Sequence, residues 1–245
     1  VGRPRWVQLQ TPGPASAFPL AITLETMFVG HYSVALAIKA VEPRAPLWTV
    51  VAGCQLMDIA WSVFVMAGVE YVGVDSALPG SPFILSDMPY THSLPGSLAW
   101  SIAWGAFALL ILRLPLRPAL LIGASVFSHW LLDLLVHRPD LELWFGGPRV
   151  GFALWNAPVL EEAIEMGLLA IAGAAWAASR KDQHQPIWSA LAFLGVLVVF
   201  QVADILVPMQ PQPLVIGAAA LSLYLLAIAL SIPLDTQRAP APERE

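Results

Sequence analysis

Apolar residues run almost unbroken through seven stretches of the chain, at about residues 18–38, 47–67, 93–113, 117–137, 154–178, 187–207 and 214–233. Short polar, proline-containing connections separate them. A helix needs roughly 20 mainly apolar residues to cross the hydrocarbon core of a bilayer. The pattern therefore predicts an all-α, polytopic transmembrane bundle of about seven spans, forming a single domain over residues 18–233. Residues 1–17 read as a flexible polar segment, and the proline-rich tail 234–245 as disordered. Trp48, Trp100, Trp155, Trp176 and Trp188 fall near span ends, where an aromatic belt belongs.

Composition strengthens this reading. The 245 residues are 58% hydrophobic and 12% charged, with a mean hydropathy of +0.70. A soluble domain carries about 25% charged residues. No basic tract is present, so nucleic-acid binding has no support. The single Cys54 allows neither an internal disulfide nor a thiolate metal site, and reads as a small core residue. No secretory-signal pattern opens the chain, and the first apolar run reads as a retained span. Lys39, Arg44, Arg113, Arg117, Arg180, Lys181, Arg238 and Arg244 fall on one side, against Arg3, Arg5, Arg138 and Arg149 on the other. That asymmetry predicts an outside N-terminus and a cytoplasmic C-terminus. Two connections are long, residues 68–92 and 138–153, and both fall on the outer side; the first reads as a re-entrant or interfacial piece.

Against this background a few polar residues stand out. The stretch SHWLLDLLVHRPD, residues 128–140, puts His129, Asp133 and His137 at four-residue spacing, on one face of a helix. His31 lies in the first span, Asp58 in the second, and His92 with Ser93 at the start of the third. Glu161, Glu162 and Glu165 fall in the fifth, and Asp204 in the sixth. A charged group at the membrane centre costs ~2.5–3.5 kcal/mol on insertion scales, so such groups usually face the bundle interior and act there. Alternation of span direction brings His92, His137, Asp133, Glu161, His129, Asp58 and His31 into the outer part of the membrane, at compatible depths.

Imidazole and carboxylate together suggest a metal. Catalytic zinc sites use three ligands of the His and Asp/Glu kind plus water. His31, His92 and His129 are candidate nitrogen ligands, and Asp58 and Asp133 candidate carboxylate ligands. Glu161 and Glu165, one turn apart, are candidate general bases. His137 and Asp140 would stand behind the ligands. Zinc is preferred by ligand type, with Mn²⁺ and Fe²⁺ also accepted by such donors.

The motifs THSL at 91–94 and SHWLLDLLVHRPDL at 128–141 resemble those of the predicted membrane-bound metal-dependent hydrolases. These are multi-span bacterial inner-membrane proteins with a Thr/Ser-His-Ser motif and a later Ser-His-x-x-x-Asp motif. The resemblance covers roughly residues 28–165. Carried over, it falls on His31, Asp58, His92, Ser93, His129 and Asp133. Met57 stands where a Pro precedes the family's Asp, and no Arg closely precedes Thr91. The resemblance implies a bacterial inner-membrane enzyme that hydrolyses its substrate with a metal-activated water, and Ser93 joins the catalytic candidates. Ligands below the interface imply a lipid or other amphiphile arriving laterally.

Other readings fit the same residues. His129 and Asp133 could lock two helices as a buried pair, and His31 and Asp58 could make interhelical hydrogen bonds. His137, Asp140, Glu142 and His184 could simply be solvated. A metal-ion or proton transporter would also string His, Asp and Glu through the bundle, and would use Asp204. A non-catalytic subunit of a larger membrane complex, or a homo-oligomer, would use small-residue faces such as AIAGAAWAAS at 170–179.

Overall fold

The computed structural model describes residues 29–206 and 212–235. The expected flexible segment 1–17, the start of the first expected span and most of the expected disordered tail lie outside them.

Helices dominate. Eight are present among the described residues: α1 (Gly30–Val41), α2 (Leu47–Cys54), α3 (Leu56–Met66), α4 (Leu94–Leu110), α5 (Leu116–Val136), α6 (Pro158–Asp182), α7 (Trp188–Leu206) and α8 (Pro213–Leu234). Three of them, α5, α7 and α8, are long and apolar enough to cross a membrane. A fourth span is added if α2 and α3, bent by 52° at their junction, count as one. Seven spans are therefore not what the described helices provide. The reasons are local. Helix α4 is 17 residues long, and described α1 only 12. Helix α6 is long, but Glu161, Glu162 and Glu165 near one end and Arg180, Lys181 and Asp182 at the other shorten its apolar stretch.

The two long connections also differ from a purely helical expectation. Residues 68–92 contain an antiparallel hairpin, β1 (Tyr71–Val74) with β2 (Phe83–Asp87). A shorter hairpin pairs β3 (Leu141–Glu142) with β4 (Arg149–Val150). Aromatic and β-branched residues such as Tyr71, Val72, Val74, Phe83 and Ile84 favour the pleated conformation. Gly80, at φ +62°, turns the first hairpin where an added Cβ would lie 2.2 Å from the Trp155 carbonyl oxygen. The hairpin tip is thus pressed against the short 3₁₀ turn Leu154–Asn156. Arg138 reinforces this contact by donating to the carbonyls of Pro79 (2.7 Å) and Ser81 (3.0 Å).

Helix packing follows the small and apolar residues. The principal pairs are α1 with α6, α4 with α5, and α3 with α8. In the second of these, the α4 and α5 backbones approach so closely that a Cβ on Gly123 would sit 2.9 Å from the Ser101 carbonyl oxygen. Leu36, Val50, Ile122, Leu169, Phe193 and Leu197 belong to the main core. Ile102, Leu120, Ile171 and Val199 instead point outward and are more than 60% exposed, an apolar exterior that suits hydrocarbon. At the end of the bundle remote from the hairpins, buried Lys39 pairs with Asp235 and donates to the Pro43 and Ala45 carbonyls. Next to it Glu42 binds Arg44 and Arg117, and hydrogen bonds from Arg44 hold its carboxyl below the usual carboxylate range.

Candidate metal centre

The break between α2 and α3 is where the site begins. Gln55, with φ −118° and ψ 7°, leaves helical geometry between them. Carbonyls at a helix C-terminus lack intrahelical partners. The Cys54 carbonyl is one of these, and His129 Nδ1 sits 2.6 Å from it. The bend also brings Asp58, one turn into α3, toward α4 and α5.

Five of the residues singled out in the sequence converge at this point. Asp133 Oδ1 lies 3.1 Å from His31 Nε2, and Asp133 Oδ2 lies 3.3 Å from His129 Nε2 and 3.6 Å from His92 Nε2. Asp58 Oδ1 lies 3.2 Å from His92 Nε2 and 3.4 Å from His129 Nε2. Two triads result, His31–His129–Asp133 and Asp58–His92–His129, in each of which the donor atoms fall within 4.8 Å of one another. The three imidazoles and Asp133 are buried; only Asp58 is partly exposed, its side chain at 19%.

Proton positions decide whether this arrangement suits a metal. A neutral imidazole has one N–H, and a carbonyl oxygen can only accept. The His129 proton therefore belongs on Nδ1, facing Cys54, and Nε2 turns a lone pair toward two carboxylate oxygens. Lone pair against carboxylate repels unless a cation lies between, a proton or a metal ion. Asp133 Oδ2 and His31 Nδ1 are also buried without a hydrogen-bond partner. Nitrogen and carboxylate donors with no thiolate suit Zn²⁺, Mn²⁺ or Fe²⁺, so the residues present fit a divalent ion. Because His129 has one free lone pair, the two triads would share one ion rather than hold one each.

His137 stands beside this set. Its Nδ1 lies 2.9 Å from Asp140 Oδ1, its Nε2 is 3.8 Å from Asp133 Oδ1, and its ring packs on Trp155 at 4.1 Å. A cavity of about 60 Å³ opens here. Its polar side is Asp58, His92, Asp133, His137 and Tyr224, and its apolar side includes Trp61, Trp155 and the hairpin residues Phe83 and Leu85.

Ser93 and Glu165 are engaged elsewhere. The Ser93 hydroxyl caps α4, accepting from Gly96 N (3.1 Å) while donating to the Pro89 carbonyl (2.6 Å). Glu165 accepts from Gly30 N (2.8 Å) and from Gln201 Nε2 (3.0 Å), and so ties α6 to α1 and α7. Gln201 Nε2 also donates to Glu162 Oε2 (2.7 Å). Glu161 is buried, with Oε1 lacking a hydrogen-bond partner. Neither Glu161 nor Glu165 belongs to the two triads or to the lining of the cavity.

Three participants escaped the sequence reading. Tyr224, on α8, donates to Asp58 Oδ2 at 3.0 Å; a tyrosine in an otherwise apolar helix was the available signal. Buried Glu70 accepts from Tyr90 N, Thr91 N and the Thr91 hydroxyl, and as one of three acidic residues in that loop it gave no distinct signal. The Cys54 carbonyl is backbone and had no signal. No family model, curated protein or solved structure matches the chain.

Proposed function

We propose that the protein is an integral membrane, metal-dependent hydrolase acting on a lipid or other amphiphile, of the bacterial inner-membrane kind that the THS and SHxxxD motifs resemble. The observation that supports it is the convergence of His31, Asp58, His92, His129 and Asp133, with an Nε2 lone pair facing two carboxylates, beside a small cavity. A divalent ion, zinc by preference, would be held by these residues; when bound it supplies a hydroxide nucleophile near neutral pH and polarises the scissile carbonyl. In this reading the N-terminus is outside, the C-terminus cytoplasmic, and the hairpins lie at the outer face.

The chain's own side chains account for the rest. His137, oriented by Asp140, turns Nε2 to the cavity and takes the proton-transfer role for which the sequence alone suggested Glu161 and Glu165. Tyr224 holds Asp58 and presents a hydroxyl to the same space. Trp61, Phe83, Leu85 and Trp155 exclude water and offer apolar contact to the part of an amphiphile next to its cleaved bond. A cavity of about 60 Å³ admits that bond and little more, so the bulk of the substrate stays in the lipid.

The test is a screen of lipid esters and amides with purified protein in vesicles. The expected result is a hydrolysis that a chelator abolishes, that added zinc restores and that His137→Gln slows by about 10²-fold or more, the usual scale for losing a general base. Hydrolysis indifferent to chelation contradicts the reading. Metal transport is favoured by one observation, the second, largely buried polar group in which Gln201 of α7 donates to Glu162 and Glu165 of α6. Zinc uptake by the same vesicles, lost in Asp204→Asn, would replace hydrolysis as the function.

A further inference from the structure

We propose that Glu70 is a positioning residue that sets which nitrogen of His92 carries the proton, and so makes His92 a metal ligand. The inference rests on the reading of the site as a metal centre, but the proton's position is a property of the metal-free protein.

Glu70 Oε1 takes two backbone donors, Tyr90 N at 2.8 Å and Thr91 N at 3.0 Å. Glu70 Oε2 lies 2.7 Å from the Thr91 hydroxyl, and the other neighbour of that hydroxyl is His92 Nδ1, also at 2.7 Å. A hydroxyl has one proton to give, and a carboxylate can only accept. Thr91 therefore donates to Glu70 and must accept from His92, which puts the imidazole proton on Nδ1. Nε2 is left as a lone pair, 3.2 Å from Asp58 Oδ1 and 3.6 Å from Asp133 Oδ2. The backbone is held as well: Trp130 Nε1 donates to the His92 carbonyl at 3.0 Å. Thus His92 reaches the same state that the Cys54 carbonyl imposes on His129, through a carboxylate and a hydroxyl in series. Glu70, Thr91 and His92 are all buried, so bulk water does not offer an alternative partner.

Substituting Glu70 by Gln reverses the direction of this chain without removing an atom from it. The two backbone donors keep the amide oxygen at the Oε1 position, so the amide nitrogen falls at Thr91. That hydroxyl must then accept from Gln and donate to His92 Nδ1, which drives the imidazole proton to Nε2, against the carboxylates and in the way of a metal.

The experiment uses the full chain in detergent, ¹⁵N-labelled at histidine. Metal-stripped wild-type protein is expected to hold His92 protonated on Nδ1, and Glu70→Gln to shift it to Nε2. Zinc affinity should fall about 10- to 100-fold in Glu70→Gln, the range for losing a partner behind a metal-ligating His. Thr91→Ser should retain wild-type affinity and Thr91→Val should lose it. The proposal is overturned if Nδ1 of His92 carries no proton in the wild type, or if Glu70→Gln changes neither proton position nor affinity. Should the proton shift in Glu70→Gln while the wild type binds no zinc, the role of Glu70 in placing the proton stands and the metal reading fails.

Discussion

Asp133→Asn is expected to lower zinc affinity by at least about 100-fold, beyond the ~10–100-fold of a change behind the ligands, and to leave the metal-free protein at least as stable as the wild type. Asp133 is the centre of the site, within 4 Å of His31, His92, His129 and His137. Without metal its carboxylate faces the His129 lone pair, an arrangement that only a proton or another cation makes favourable. An Asn amide at the same place donates where the carboxylate could not, and satisfies Nε2 of His129 directly. Fold and metal therefore respond in opposite directions. Isothermal titration with zinc, beside thermal unfolding of the metal-free protein, measures both. If Asp133 instead served to lock helices as a buried ion pair, Asn would lower stability, with no zinc affinity to lose.

Glu165→Ala should behave in the opposite way, costing about 2–4 kcal/mol of stability while zinc affinity stays within about twofold of wild type. The Glu165 side chain is fully buried and receives Gly30 N from α1 and Gln201 from α7. Its loss leaves two buried donors unmatched, at roughly 1–3 kcal/mol each before relaxation. Denaturation monitored in detergent, together with zinc titration, tests this. Unchanged stability combined with lost hydrolysis would instead make Glu165 the general base.

These two acidic residues also mark what the sequence could and could not reveal. Four-residue spacing put His129, Asp133 and His137 on one helical face, because the period of a helix is a local property. Alternating span direction set His31, Asp58 and His92 at matching depth, and the structure brings all of these together. Glu161 satisfied the same depth argument yet belongs to neither triad, and Glu165, one turn on, bonds to α1 and α7 instead, since depth fixes the height of a residue in the bundle and not the direction it faces. The break at Gln55 was hidden inside a window whose average hydropathy is high, and with it went the Cys54 carbonyl that orients His129. Short strands such as Tyr71–Val74 leave too few residues for a period to register, so the hairpin over the cavity was read as an interfacial piece. Glu70 and Tyr224 act through hydrogen bonds to residues 20 or more positions away, which no spacing rule reaches. Span number failed where charge near helix ends, as in α6, shortened an apolar run.

The buried imidazoles and carboxylates are proposed to hold a divalent ion. Metal bound per chain in mildly solubilised protein, wild type beside His129→Ala, tests this most directly. About one ion per chain in the wild type, absent from the variant, is the expected result, because His129 belongs to both triads and catalytic sites of this type use three protein ligands per ion. Metal missing from the wild type after zinc is supplied, or equally retained by the variant, would contradict the account and leave the cluster as a network of buried hydrogen bonds.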